Sequence, residues 1–140
     1  MPYYIDQLKP GMSESFSKTV SESDIQKFGE VSGDMNPAHF DEAFAATTPF
    51  KTRIAHGVLS ASYISTVLGM KMPGPGTIFM SLTTRFKAPV RIGDTVTATC
   101  TVREVVADKR RVLFDCVCKV GEVTVVDGEA LVMAPARPKA

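Results

Sequence analysis

A carboxylate and an imidazole lie close together in one short stretch of this chain, Ser32-Gly33-Asp34-Met35-Asn36-Pro37-Ala38-His39-Phe40-Asp41. On a continuous helix the spacing of Asp34 and His39 would place them on different faces. A turn at Asn36-Pro37 can bring them together. A carboxylate beside an imidazole can share one water and move a proton on and off a substrate. A plainer reading competes with this one: Asp34 caps a helix or turn and His39 is an incidental polar residue, since loop Asp and Asn are common turn formers. The second feature is Ile54-Ala55-His56-Gly57-Val58-Leu59, at the start of an apolar run. Glycine at a helix mouth permits close approach of a ligand, and free amide N–H groups there polarise a carbonyl oxygen. Glycine near a helix end is also ordinary, and His56 reads first as a structural residue.

The elements that must hold these residues divide into a helical first half and a strand-rich second half. Ser15 to Val20 forms a short strand. Ser21-Glu22-Ser23-Asp24 has the pattern of a capping box, followed by Ile25, Phe28 and Val31 at helical spacing, with Gly33 as the C-cap. Asp34 to Phe40, with Pro37, is expected to be loop, and Asp41 to N-cap a turn through Glu42–Ala46. From Gly57 to Met70 apolar or small residues occur nearly all round, the mark of a buried helix, and Pro73-Gly74-Pro75-Gly76 ends it. The period then changes to two. Strands are expected over Ile78–Lys87, Thr95–Arg103, Val112–Val120 and Val123–Met133, with turns at Asp108-Lys109 and Gly121. One buried helix and an antiparallel sheet make an α+β fold with the sheet curved around the helix. Such a sheet has exposed edges, and pairing two of them in a dimer is the usual remedy.

Composition narrows the function classes. The chain's 140 residues are about one domain's worth, and the 44% hydrophobic and 22% charged shares are those of a globular protein. Sixteen Lys and Arg against fifteen Asp and Glu give a net charge of +1, too little basic excess for a nucleic-acid surface. The longest uncharged, mostly apolar stretch, Ile54–Met70, is short for a bilayer span and carries polar residues, so no membrane segment is expected. The first residues, Met1-Pro2-Tyr3-Tyr4-Ile5-Asp6, have neither a basic nor an apolar leader region, so a cytoplasmic protein is expected. Cys100, Cys116 and Cys118 are an odd count that suits no disulfide framework. Cys116 and Cys118 fall on one face of a strand as core residues. Two histidines and three cysteines in this arrangement give no zinc pattern, so no metal is expected.

The two motifs, in this order and followed by Phe86-Lys87-Ala88-Pro89-Val90-Arg91-Ile92-Gly93-Asp94-Thr95-Val96, resemble the MaoC-like hydratases, specifically the bacterial (R)-specific enoyl-CoA hydratases with a single hot-dog domain. The resemblance runs from about Phe16 to Met133, and one hot-dog domain over residues 1–140 is the organisation it implies. It implies reversible syn hydration of trans-2-enoyl-CoA to (R)-3-hydroxyacyl-CoA, a product that polyester synthesis and β-oxidation can both use. Asp34 and His39 inherit the catalytic roles. Gly57 inherits the backbone donor to the thioester oxygen, and Asn36 the role of fixing the loop. Ser65, Leu68 and Val132 would border the acyl chain, with bulky Leu68 and Val132 favouring short enoyl groups. Lys51, Arg53, Arg85, Lys87 and Arg91 are candidates for the CoA phosphates. No organic cofactor is implied, because the thioester itself activates the alkene. A homodimer is the implied assembly. Two other hot-dog functions compete: an acyl-CoA thioesterase, and a catalytically silent acyl-binding subunit.

Overall fold

The period-two segments and the all-round apolar segment settle into a sheet and a helix laid across it. In a computed structural model of the chain, described over residues 1–139, the strands are β1 (Ser13–Thr19), β2 (Ile78–Phe86), β3 (Thr95–Val106), β4 (Arg111–Val120) and β5 (Val123–Met133). They form one antiparallel sheet in the order β1-β3-β4-β5-β2. Alternation sends Val96, Ala98, Cys100 and Val102 of β3, and Val112, Phe114, Cys116 and Cys118 of β4, to one buried face. Against that face lies α4 (Gly57–Thr66), burying Leu59, Ala61, Tyr63 and Ile64. This is the α+β hot-dog fold that the sequence implies. The three thiols are free and buried within it.

Local chemistry places the remaining elements. In α1 (Glu22–Ser32) the Ser21 hydroxyl accepts the Asp24 N–H at 3.1 Å while the Asp24 carboxylate accepts the Ser21 N–H at 3.0 Å. Such a cap contributes about 1 kcal/mol. Gly33 ends α1 in the left-handed region, φ 80°, where a side chain would be strained. On the outer sheet edge, Ser13, Ser15, Ser17 and Thr19 of β1 pair hydroxyl to hydroxyl with Thr101, Thr99, Thr97 and Thr95 of β3.

Four expectations need correction. Asp34–Phe40 is not loop throughout: Pro37–Phe40 forms α2, a single turn, because Asn36 accepts the Ala38 N–H at 3.0 Å and proline suits the first helical position. Glu42–Ala45 follows as α3, N-capped by Asp41 as expected. The long helix is α-helical only to Thr66. Over Val67–Lys71 it widens by one residue per turn, and the Met72 N–H donates to the Val67 carbonyl at 2.9 Å. β1 runs two residues earlier than expected and stops at Thr19, since Val20 is drawn into the turn with Gly93 and Asp94. In β2 an extra residue between Phe79 and Ser81 breaks the alternation, a bulge on the sheet's edge strand.

Candidate active site

The end of α1 delivers Asp34. Past Gly33 the Asp34 N–H donates to the Ser32 hydroxyl at 3.1 Å, and the Asp34 carboxylate accepts the Asn36 N–H at 3.2 Å. Asn36 then caps α2, so Asp34 and Asn36 are successive turn builders. That much of the plainer sequence reading holds, and for Asn36 it is the whole of the observed role. For Asp34 the turn leaves the residue exposed, with its carboxylate free to act.

The single turn of α2 aims His39 back at Asp34. The His39 Nδ1 lies 2.8 Å from the Ile54 carbonyl. A carbonyl oxygen can only accept, so Nδ1 carries the hydrogen and Nε2 of the neutral ring holds the lone pair. Arg53 braces the same turn from behind, donating to the His39 carbonyl at 2.7 Å and pairing with Glu22 at 2.9 Å. Arg53, read from sequence as a CoA contact, is thus part of the frame around His39.

His56 completes the cluster from beneath. It precedes α4, is 2% exposed, and donates through Nε2 to the main-chain carbonyl of Asp34 at 2.9 Å. Its ring stacks on His39 with centroids 3.9 Å apart and planes 30° apart. Phe28 and Phe40 close the other sides at 4.8 and 5.7 Å. Burial pushes its pKa below the ordinary histidine value, against the raising effect of its bond to Asp34. Its Nδ1 is sealed from solvent and has no hydrogen-bond partner among the described residues. An orphaned buried acceptor costs about 1–3 kcal/mol. Asp34, His39 and His56 offer ligand-type atoms that all lie within 4.8 Å of one another. Two imidazoles and a carboxylate could in kind hold a metal. However, one nitrogen of each ring is already bonded to the main chain, and the other nitrogen of His56 is sealed. The arrangement suits proton transfer between Asp34 and the free nitrogen of His39.

Gly57 is the first residue of α4, so its N–H has no acceptor within the helix. A Cβ on Gly57 would come within 2.6 Å of the Phe86 ring, so a side chain there would force the ring or the helix mouth to shift. Gly57 also borders a largely apolar cavity of about 470 Å³, lined among others by Phe50, Val58, Ser60, Phe86 and Lys87. Ser60 is a residue that the sequence did not single out: it is 1% exposed, and its hydroxyl finds no partner among the described residues. Its signal was available, as a hydroxyl one turn beyond Gly57 on an otherwise apolar helix face.

The other candidates are dispersed. Leu68 and Val132 are 1% and 0% exposed and share the core, whereas Ser65 stands on the exposed face of α4. Lys87 borders the cavity, and it and Arg85 sit 4.0 and 3.5 Å from Asp127. Arg91 donates to the Phe50 carbonyl at 3.3 Å, and Lys51 is exposed.

Residues 7–125 match the family model described as MaoC like domain. The chain belongs to the MaoC-like family. It is 56% identical to an (R)-specific enoyl-CoA hydratase of Rhodospirillum rubrum, over 96% of this chain and 94% of that protein. A 3-hydroxybutyryl-CoA dehydratase of Methylorubrum extorquens is 48% identical, over 98% of this chain and 87% of the relative. Among solved structures, the unliganded R-hydratase PhaJ1 of Pseudomonas aeruginosa superposes with a TM-score of 0.91 at 42% identity, covering 97% of this chain and 88% of that one. The MaoC-like match takes in Asp34, His39, His56 and Gly57, and stops short of Val132. Among the described residues of this MaoC-like chain, no helix is long and apolar enough to cross a membrane.

Proposed function

We propose that this chain is an (R)-specific enoyl-CoA hydratase that adds water reversibly to trans-2-enoyl-CoA. The observation that carries the reading is the Asp34–His39 pair, set beside a helix mouth whose first N–H, at Gly57, has no acceptor within the helix. The 56% and 48% identical relatives, named for the two directions of this kind of reaction, support it. Water held between the Asp34 carboxylate and His39 Nε2 loses a proton as its oxygen bonds to C3. The alkene electrons move onto the thioester oxygen as an enolate, and a proton returned from the pair to C2 restores the thioester. Acid and base on one side of the substrate deliver oxygen and hydrogen to one face, which is syn addition. The Gly57 N–H, at the positive end of α4, meets the enolate oxygen as charge develops; one such donor is worth about 3 kcal/mol. The thioester activates the alkene, so the step needs no redox or organic cofactor.

Within this reading the acyl chain runs along α4 past Ser65 toward Leu68 and Val132, whose bulk favours short enoyl groups. The CoA phosphates lie toward Lys51, Lys87 and Arg91, while Arg53 and Arg85 act from their existing pairs. The unit is one hot-dog domain over residues 1–140, working as a homodimer. A CoA-thioester substrate and three free buried thiols suit the reducing cytoplasm. The test is to follow crotonyl-CoA by the absorbance of its conjugated thioester beside a free-thiol assay. Alkene loss without thiol release is expected. Thiol release would make the chain a thioesterase, and silence in both assays an acyl-binding subunit.

A further inference from the structure

We propose that His56 is a positioning residue that fixes both members of the acid–base pair at once, holding Asp34 by its main chain and His39 by its ring face. The inference rests on the hydratase reading for its chemistry and on three contacts for its geometry. The His56 Nε2–H holds the Asp34 carbonyl at 2.9 Å, so the carboxylate is carried by a backbone pinned from beneath. The His56 ring lies 3.9 Å under His39, so the plane of the reacting imidazole is set by a flat neighbour and not by its single bond to Ile54 alone. Phe28 and Phe40 wall the His56 ring, so it cannot swing away.

The chemistry of the ring fits the task. A neutral imidazole face tolerates positive charge on His39 whenever its Nε2 takes up the proton, whereas a charged ring at this distance would oppose it. The groups facing His56 are the Asp34 carboxylate, the His39 ring and two aromatic rings, and burial in this box keeps it neutral. A purely space-filling position would carry an apolar ring and avoid the orphaned Nδ1. Leucine or phenylalanine would pack here but could not donate to Asp34. The position uses the donor and the ring face together.

The chain's two histidines make the test clean. Nitrogen-15 imidazole spectra of the wild type are expected to show His56 with hydrogen on Nε2 and staying neutral to a lower pH than an ordinary imidazole. The neutral form of His39 should carry hydrogen on Nδ1, the nitrogen that faces the Ile54 carbonyl. His56→Phe keeps a ring and loses the donor; His56→Gln keeps a donor and loses the ring. Each is expected to lower kcat for crotonyl-CoA by about tenfold or more, the scale of a small misplacement, with KM within about threefold. In both, the His39 spectrum should lose its single tautomer. Folded variants with unchanged kcat and an unchanged His39 spectrum would overturn the proposal. So would a wild-type His56 that titrates ordinarily or carries its hydrogen on Nδ1, a result that stands even if both variants fail to fold. The spectra are read whether or not the wild type hydrates crotonyl-CoA, so absent hydration counts against the reaction and leaves the positioning role to the spectra.

Discussion

In the proposed mechanism Asp34 and His39 act through atoms that the fold leaves free, which makes substitutions at these positions informative. Asp34→Asn keeps an oxygen to accept the Asn36 N–H, so the turn survives while the charge is lost. His39→Gln keeps a polar side chain in reach of Ile54 and removes the basic nitrogen. Each is expected to lower turnover by at least about 100-fold, the scale of a positioned acid–base group, with thermal unfolding little changed. Near-normal hydration by either purified variant would remove the pair from the mechanism. His56 makes a separate prediction, about stability. Its native pKa is lowered from 6.5, so below that value the unfolded chain binds more protons than the native one. Stability is then fully present above about pH 6.5 and declines as pH falls toward the native pKa. Asp24, also lowered, acts only near and below 3.8, outside this window. Melting of the wild type should therefore fall between pH 7.5 and 5.5, and that of His56→Phe should fall less. Parallel curves would show that His56 is not held neutral.

At the scale of elements, the proposed function gives α4 both the donor and the room for the acyl chain. Gly57→Ala would drive a methyl group into the Phe86 ring, displacing the helix mouth, and should lower kcat roughly tenfold or more. Because Phe86 is 55% exposed, Phe86→Ala is tolerable, and the double variant should recover part of the loss. No recovery would mean that the defect is not steric. Leu68→Ala and Val132→Gly should extend activity to longer enoyl-CoAs while crotonyl-CoA turnover persists. Both residues are fully buried, so the Leu68 change also costs about 2–5 kcal/mol, and melting must be followed beside the chain-length profile. Wild-type hydration of dodecenoyl-CoA as efficient as that of crotonyl-CoA would show that these side chains do not close the slot. These elements were unequally legible in the sequence. β3 and β4 were plain because one sheet face is buried and the alternation is strict. The capping box and Gly33 were plain because caps are local chemistry. The turn of α2 was hidden by its length and by Pro37, which reads as a breaker unless Asn36 is recognised as its cap. The bulge in β2 has no local signature, since neither face of that strand is buried in its own chain. Asp34 and His39 were visible by type and spacing. The stacking of His56 on His39 and the bracing by Arg53 were not, because both contacts join segments that only the tertiary fold brings together.

The whole molecule presents two sheet edges of opposite character, and the difference says which one another copy should cover. The β1 edge is lined by the paired hydroxyls of Ser13, Ser15, Ser17 and Thr19, which water satisfies well. The β2 edge exposes Ile78, Phe79, Met80, Leu82 and Phe86, the first and last by more than half at 56% and 55%. An unpaired apolar edge of this kind invites association. The face of α4 that carries Ser65 is likewise open, with Val58 58% exposed, so the proposed acyl side of the site lacks a wall within one copy. Two copies joined through β2 in a two-fold pair would continue the sheet and bring cover toward both features at once. Light scattering at micromolar concentration should therefore give twice the 15.1 kDa chain mass. The association should withstand high salt, since the contact is apolar and screening acts only on charge. Leu82→Arg places a charge at the middle of the edge and should shift the protein toward monomer, with hydration falling in step as the open site loses its cover. A wild type of 15.1 kDa at that concentration, or a fully active Leu82→Arg monomer, would show that one copy builds the site alone.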